Sequence, residues 1–417
     1  MPETVVGMIG LSLNDEGGRE VVSRYVTITK LLSKVVLLRE DQSLLDRMHG
    51  QRVASYRVTM PEDKQPFYAS LDADLRPLEL FALLREEDDG VVLHLIRGRI
   101  YAPHEVNLYV PLLLFVATMF SVLYTGTTIA AGEIGLSDPA AVQAIGNNLL
   151  PNLWRGLPYA ISILLILGGH EMGHWLQMRR HGVASSLPYF LPAFGLSPLG
   201  TFGAGIALRE PMRDRRVLFD VGATGPWVGF IIAVPILLIG LATSIVVPIG
   251  EGAVEGNSIT YWLAKVLVFG RALPNESVDV LVNQLAWAGW TGLFVTAINL
   301  IPLGQLDGGH VTYALFGRQI RQLFNPLMAL IAFGALFLSS AWVVLGLLAA
   351  LIGRVYAVPL DDITPLDTRR QRIAYATIVL FVLCLVPIPL AMRGANDGLL
   401  SGVFATVLLV MWRKRST

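Results

Sequence analysis

Apolar positions recur along this chain in two rhythms, and the rhythm changes near residue 104. Before that point the apolar stretches are short and broken by charge. Val5–Leu13, Val35–Leu38, Tyr56–Thr59 and Val91–Ile96 are β-branched and apolar, which predicts strands. Asp15–Lys34 has roughly helical spacing. Leu78–Arg85 predicts a helix, ended by Glu86-Glu87-Asp88-Asp89 and Gly90. The pattern reads as a small soluble α+β domain over residues 1–104, on the cytoplasmic side.

Beyond residue 104 the apolar runs reach the roughly 20 residues that a bilayer requires. Tyr109–Ala131, Leu157–Met178, Val217–Val247 and Asn283–Ile301 are spanning candidates. Leu323–Ile352 is either one long span or two short ones that turn at Ser339-Ser340, and the distribution of basic residues favours two. Ile373–Met392 and Leu399–Trp412 follow. Ile259–Phe269 is apolar but too short to span. Leu187–Leu208 is apolar yet holds Pro188, Pro192 and Pro198 with Gly195, Gly200, Gly203 and Gly205, and so cannot run as a plain helix. Irregular backbone at membrane depth is tolerated only against protein or a wet cavity. This stretch is therefore expected to be a re-entrant loop or hairpin. The fold class is a polytopic all-α membrane domain of about eight spans over residues 105–417, with a re-entrant loop, preceded by the α+β domain.

Charge supports the division. Of 417 residues, 53% are apolar and 15% charged, whereas an ordinary soluble domain carries about 25% charged residues. The first 108 residues hold 30 of the 64 Asp, Glu, Lys and Arg (32 acidic plus 32 basic). Counting two spans in Leu323–Ile352 keeps Arg179-Arg180, Arg354, Arg369-Arg370, Arg372 and the tail Arg413-Lys414-Arg415 on one side, as the cytoplasmic bias of basic loops demands. A net charge of zero gives no reason to expect nucleic acid. The single cysteine, Cys384, excludes an internal disulfide and a thiolate zinc cage. Met-Pro-Glu-Thr lacks the basic start and apolar core of a signal peptide. The chain is expected to be a multi-pass integral membrane protein in contact with lipid.

The chemistry centres on His170-Glu171-Met172-Gly173-His174, inside the second span. Histidines at i and i+4 share a helix face and can grip one metal ion, with the glutamate between them placed to activate water. Ionisable groups at this depth are costly and usually functional. A catalytic zinc takes three protein ligands and leaves one position open. Asp307 is the best third ligand, after the helix-bending Pro302 and before Gly308-Gly309, which allow close backbone approach. Asp220 is the runner-up, although it more simply caps or orients the third span. His310 is another possibility, against a local pairing at a helix end. Glu171 is the general base and acid. Asn299 is an amide in an apolar helix, able to donate to an extended substrate or a developing oxyanion, or else to bond between helices. His49, His94 and His104 are scattered and read as ordinary histidines.

Taken with Asn299-Leu300-Ile301-Pro302-Leu303-Gly304-Gln305-Leu306-Asp307-Gly308-Gly309, the five-residue stretch resembles the site-2 protease family of intramembrane zinc metalloproteases. Gly200-Thr-Phe-Gly203-Ala204 and Phe219-Asp220-x-Gly222-x-x-Gly225-Pro226 also look like family strings. The absence of a PDZ insertion, the proline-rich loop and Asp362-x-x-Pro365-Leu366-Asp367 resemble its ethylene-dependent gravitropism-deficient and yellow-green branch. The resemblance implies Zn2+ held by His170, His174 and Asp307, a catalytic Glu171, and transmembrane-helix proteins as substrates. A catalytically silent scaffold or chaperone of the same fold is the alternative. A metal transporter would place ligands along a path, and a di-iron oxidase would need more intramembrane histidines.

Overall fold

The structure is a computed structural model. It describes residues 36–40, 52–59, 64–75, 80–87, 90–97, 108–135, 138–209, 211–249, 252–338 and 341–393. The strand expected at Val5–Leu13, the helix at Asp15–Lys34 and the span at Leu399–Trp412 lie outside these residues. The chain divides into two compact units. One gathers residues within 1–104 together with Met212–Arg215 and Pro359–Pro365, and the other holds the remainder.

The first unit contains β1 (Val36–Glu40), β2 (Arg52–Thr59), α1 (Lys64–Leu75), β3 (Leu80–Glu87) and β4 (Gly90–Arg97), with antiparallel sheet order β1-β2-β4-β3. Tyr68, Leu71 and Leu75 form one stripe of α1 and bury against Leu80, Ala82, Leu84, Leu93 and Leu95. Where a helix is expected at Leu78–Arg85, the described residues Leu80–Glu87 form a strand. Leucines so closely spaced satisfy either period. Pairing with β4 decides, in unbroken register from Leu80↔Arg97 to Glu87↔Gly90, because it buries Leu80, Ala82 and Leu84 on one face.

The other edge of β3 is also paired. Leu84 N–H donates to Leu360 O (3.0 Å), Leu360 N–H to Met212 O (2.9 Å) and Asp361 N–H to Arg213 O (2.7 Å). Two short parallel segments thus continue the sheet, each lying just before a long helix. The Arg85 guanidinium donates to Pro359 O and Leu360 O at 2.8 and 2.9 Å, which fixes the register.

The second unit begins with α2 (Tyr109–Gly135), α3 (Pro139–Asn147) and α4 (Leu157–Arg180). Next come β5 (Tyr189–Pro192), β6 (Thr201–Gly205), α5 (Arg215–Ala242), β7 (Ile245–Pro248), β8 (Gly252–Glu255), α6 (Ile259–Phe269) and β9 (Val278–Leu281). It ends with α7 (Gln284–Asn299), α8 (Asp307–Phe316), α9 (Phe324–Phe337), α10 (Ala341–Ile352), α11 (Thr368–Cys384) and β10 (Leu390–Arg393). Among the described residues, four helical stretches are long and apolar enough to cross a membrane: Tyr109–Ile134, Leu149–Arg180, Arg215–Ala242 and Asp307–Phe337. Their outer faces carry exposed Leu112, Leu113, Phe120, Ile231, Ile239 and Phe333. Such faces are stable in lipid, where no water must be displaced, and the chain is an integral multi-pass membrane protein.

The unit is not purely helical, although the sequence predicts an all-α domain. Its described residues form three two-stranded sheets, β5-β6, β7-β9 and β8-β10. The proline- and glycine-dense stretch forms the first of these, since a hairpin satisfies backbone groups that a broken helix would leave unpaired. Within Pro248–Val282, α6 turns its charge inward. Lys265 is fully buried with Nζ 3.3 Å from Glu255 Oε1 and 3.4 Å from Asp279 Oδ1, while Trp262, Leu263 and Leu267 face out. Leu323–Ile352 forms two helices, α9 and α10.

Candidate metal centre

α4 follows from an almost unbroken apolar run opened by Pro158 in its first turn. Its buried face carries Ile163, Ile166, Leu167, His170, Glu171, Gly173 and His174. Four residues of separation bring the two imidazoles to one side, one turn apart. Asp307 arrives from a different part of the chain. α7 ends at Asn299, because Pro302 cannot continue it, and the backbone reverses through Gly304 at φ +50°. A Cβ at Gly308 would overlap the Leu300 carbonyl, and one at Gly309 the Gly304 carbonyl. Only glycine allows so tight a return, which sets Asp307 at the first position of α8.

His170 Nε2 and His174 Nε2 are 3.1 Å apart. Asp307 Oδ2 lies 3.1 Å from the first and 3.3 Å from the second. Zinc bonds of about 2.0–2.1 Å at tetrahedral angles separate neighbouring ligand atoms by about 3.3–3.4 Å. The three spacings fit that ion, and two ring nitrogens so close to one carboxylate oxygen call for a shared cation. Among the described residues, this is the one group of three His, Cys, Asp or Glu side chains whose ligand atoms converge, all within 4.8 Å of one another. His174 Nδ1–H donates to the Val221 carbonyl at 2.7 Å, which turns Nε2 and its lone pair toward the cluster. Glu171 is buried and within electrostatic reach of all three side chains.

The other candidates separate. Asn299 Nδ2 stands 3.3 Å from His170 Nε2, so this amide reaches the cluster from α7. Asp220 does not join it. Arg370 Nε and a terminal guanidinium nitrogen grip its two oxygens at 2.8 and 2.7 Å, and His181 Nε2 lies 3.0 Å away. Asp220 therefore ties α5 to the start of α11 and the end of α4. His310 Nδ1–H donates to the Leu306 carbonyl at 2.8 Å, a local pairing within its own turn.

Residue-by-residue chemistry did not single out the wall that α5 builds behind the histidines. A Cβ at Gly225 would overlap the His174 ring, and one at Gly229 would come within 3.2 Å of His170 Nδ1. Gly222, Gly225 and Gly229 share one helix face, and that small-residue stripe was the available signal of close helix approach.

A buried two-histidine, one-carboxylate centre on membrane-length helices defines the class as a membrane protein with a candidate metal site. Residues 158–341, which carry every member of the cluster, match Peptidase family M50. The chain is 31% identical over 333 residues to the protein described as "Probable zinc metalloprotease EGY2, chloroplastic" from Arabidopsis thaliana, covering 78% of this chain and 57% of the relative. It is 28% identical over 360 residues to "Probable zinc metalloprotease EGY1, chloroplastic" from Oryza sativa subsp. japonica, covering 78% and 61%. This chain thus spans about three fifths of the length of these relatives. No solved structure matches.

Proposed function

We propose that the chain is an intramembrane zinc metalloprotease that hydrolyses peptide bonds in the transmembrane helices of membrane-tethered proteins. The observation that carries this reading is the convergence of His170, His174 and Asp307 around one point, with Glu171 buried between the two histidines in sequence. His170, His174 and Asp307 would hold the ion. Bound zinc supplies a Lewis acid that acidifies water and polarises the scissile carbonyl. Glu171 accepts a proton from the attacking water and delivers it to the leaving amine, so that one peptide bond and one water become a carboxylate and an amine. The Asn299 amide, at the rim of the cluster, donates toward the substrate oxygen as charge develops there.

A helical substrate shields its own peptide bonds, so the segment to be cut must unwind and extend. The β5-β6 pair suits that requirement. A two-stranded sheet leaves an open main-chain edge on each strand, and Leu191 and Phe202 present exposed apolar side chains. In this reading residues 105–417 form the protease domain with about eight spans, and residues 1–104 a cytoplasmic α+β domain. The test compares membrane proteomes of cells carrying wild-type protein or Glu171→Gln. Uncut substrate helices should accumulate in the variant. Identical proteomes under conditions where the protein is expressed would reject the protease.

A further inference from the structure

The loop that closes the β5-β6 hairpin, residues 193–200, is built around a side chain from α2. Ser121 is fully buried. Its hydroxyl hydrogen is donated to Gly200 O at 2.7 Å, and its Oγ accepts from Phe194 N–H at 2.7 Å and Ala193 N–H at 3.2 Å. One donor and two acceptors use the whole bonding capacity of a hydroxyl. Hydroxyls in apolar helices ordinarily bond back to their own preceding turn. Thr127 on α2 does so, to Leu123 O at 2.8 Å. Ser121 spends everything on the hairpin instead.

Further contacts act in the same direction. Gly200 takes φ +72°, and a Cβ there would press on the Thr125 side chain of α2. Tyr159 of α4 donates to Leu199 O at 2.7 Å. The Phe115 ring of α2 meets Phe190 of β5 edge-on, with centroids 5.3 Å apart. Thr201 closes the strand pair by donating to Leu191 O at 2.7 Å. The strand pair is thereby held by α2, a helix that precedes the segment matching the peptidase family.

We propose that Ser121 is a positioning residue for cleavage. It sets where the β5-β6 edge lies, and so which peptide bond of an extended, apolar substrate segment is presented. The proposal rests on the protease reading of the same unit. Ser121 touches neither the cluster nor, in this account, the reacting atoms. Its loss should alter substrate presentation and leave the metal in place.

The test uses the full chain in detergent with a transmembrane-helix substrate, comparing wild type, Ser121→Ala, Ser121→Thr and Gly200→Ala. KM, kcat, bound zinc per chain and the cleaved bonds identified by mass spectrometry are recorded. Ser121→Ala is expected to lower kcat/KM about 10–100-fold, mostly through KM, as a misplaced substrate would. It should cut at neighbouring bonds as well as the wild-type bond, with zinc unchanged. Gly200→Ala, at the other end of the same clamp, should do likewise, and Ser121→Thr should restore the single cut. Wild-type KM and cleavage pattern in Ser121→Ala would overturn the proposal. Loss of zinc in both Ser121→Ala and Gly200→Ala would overturn it too, by making the contact a support of the metal fold. Zinc-loaded wild type that cuts no transmembrane helix would instead overturn the protease reading itself.

Discussion

The metal cluster and the outer edge of the β3 sheet are each assembled from segments far apart in the chain, but by different means. The cluster is joined through side chains, with His170 and His174 from one helix and Asp307 from the start of another. The sheet edge is joined through main chain: Leu360 and Asp361 lie beside β3, and Met212 and Arg213 lie beside them, through bonds of 2.7–3.0 Å. Side-chain assembly requires particular residue types and so leaves a trace in the sequence. Main-chain assembly is open to nearly any residue and leaves very little.

Substitutions should divide along the same line. The largest effect is expected at the cluster. Asp307→Ala should leave the purified protein without stoichiometric zinc and without cleavage. Gly225→Ala touches no ligand position, yet it should weaken zinc about 10–100-fold by displacing the His174 ring. Zinc titration checks both, and full zinc in Asp307→Ala would send the third ligand to Asp220 or His310. At the sheet, Leu84→Ala removes a fully buried side chain and should cost the first unit about 2–5 kcal/mol. Hydrogen exchange in the intact protein measures this. The Leu84 amide should be protected in wild type, and its rapid exchange would contradict the pairing with Leu360. The smallest effect is expected at Arg370→Ala. Loss of the charged hydrogen bonds to Asp220 should lower thermal stability by about 1–3 kcal/mol and leave zinc stoichiometry at the wild-type value. A fall in zinc there would blur the separation between Asp220 and the cluster.

The same contrast explains what could be read from the sequence. His170, Glu171, His174 and Asp307 stood out because an ionisable group in an apolar run needs a reason. Asn299 stood out as a polar amide in an apolar helix, and its Nδ2 lies 3.3 Å from His170 Nε2. The prolines and glycines of Leu187–Leu208 ruled out a helix, which left a hairpin as one of few ways to pair the backbone. Leu78–Arg85 misled because its leucines fit both periods, and the partner strand that decides is a tertiary matter. The extension of β3 and the clamp by Ser121 were hidden for a related reason. A serine in a helix and a backbone carbonyl in a loop look ordinary until the fold brings them together. Gly225 and Gly229 lie between these cases, as a stripe whose spacing announced a close neighbour without naming the histidines.

The claim that holds the account together is that Glu171 performs chemistry in a zinc site built by three other residues. The most direct measurement is bound zinc per chain together with the cleavage rate of a transmembrane-helix substrate, in purified wild type and Glu171→Gln. The account predicts equal zinc in the two proteins, and a rate in the variant lower by about 10²–10⁴-fold or more. Equal zinc with an unchanged rate would contradict it, because the proton would then be carried by another group.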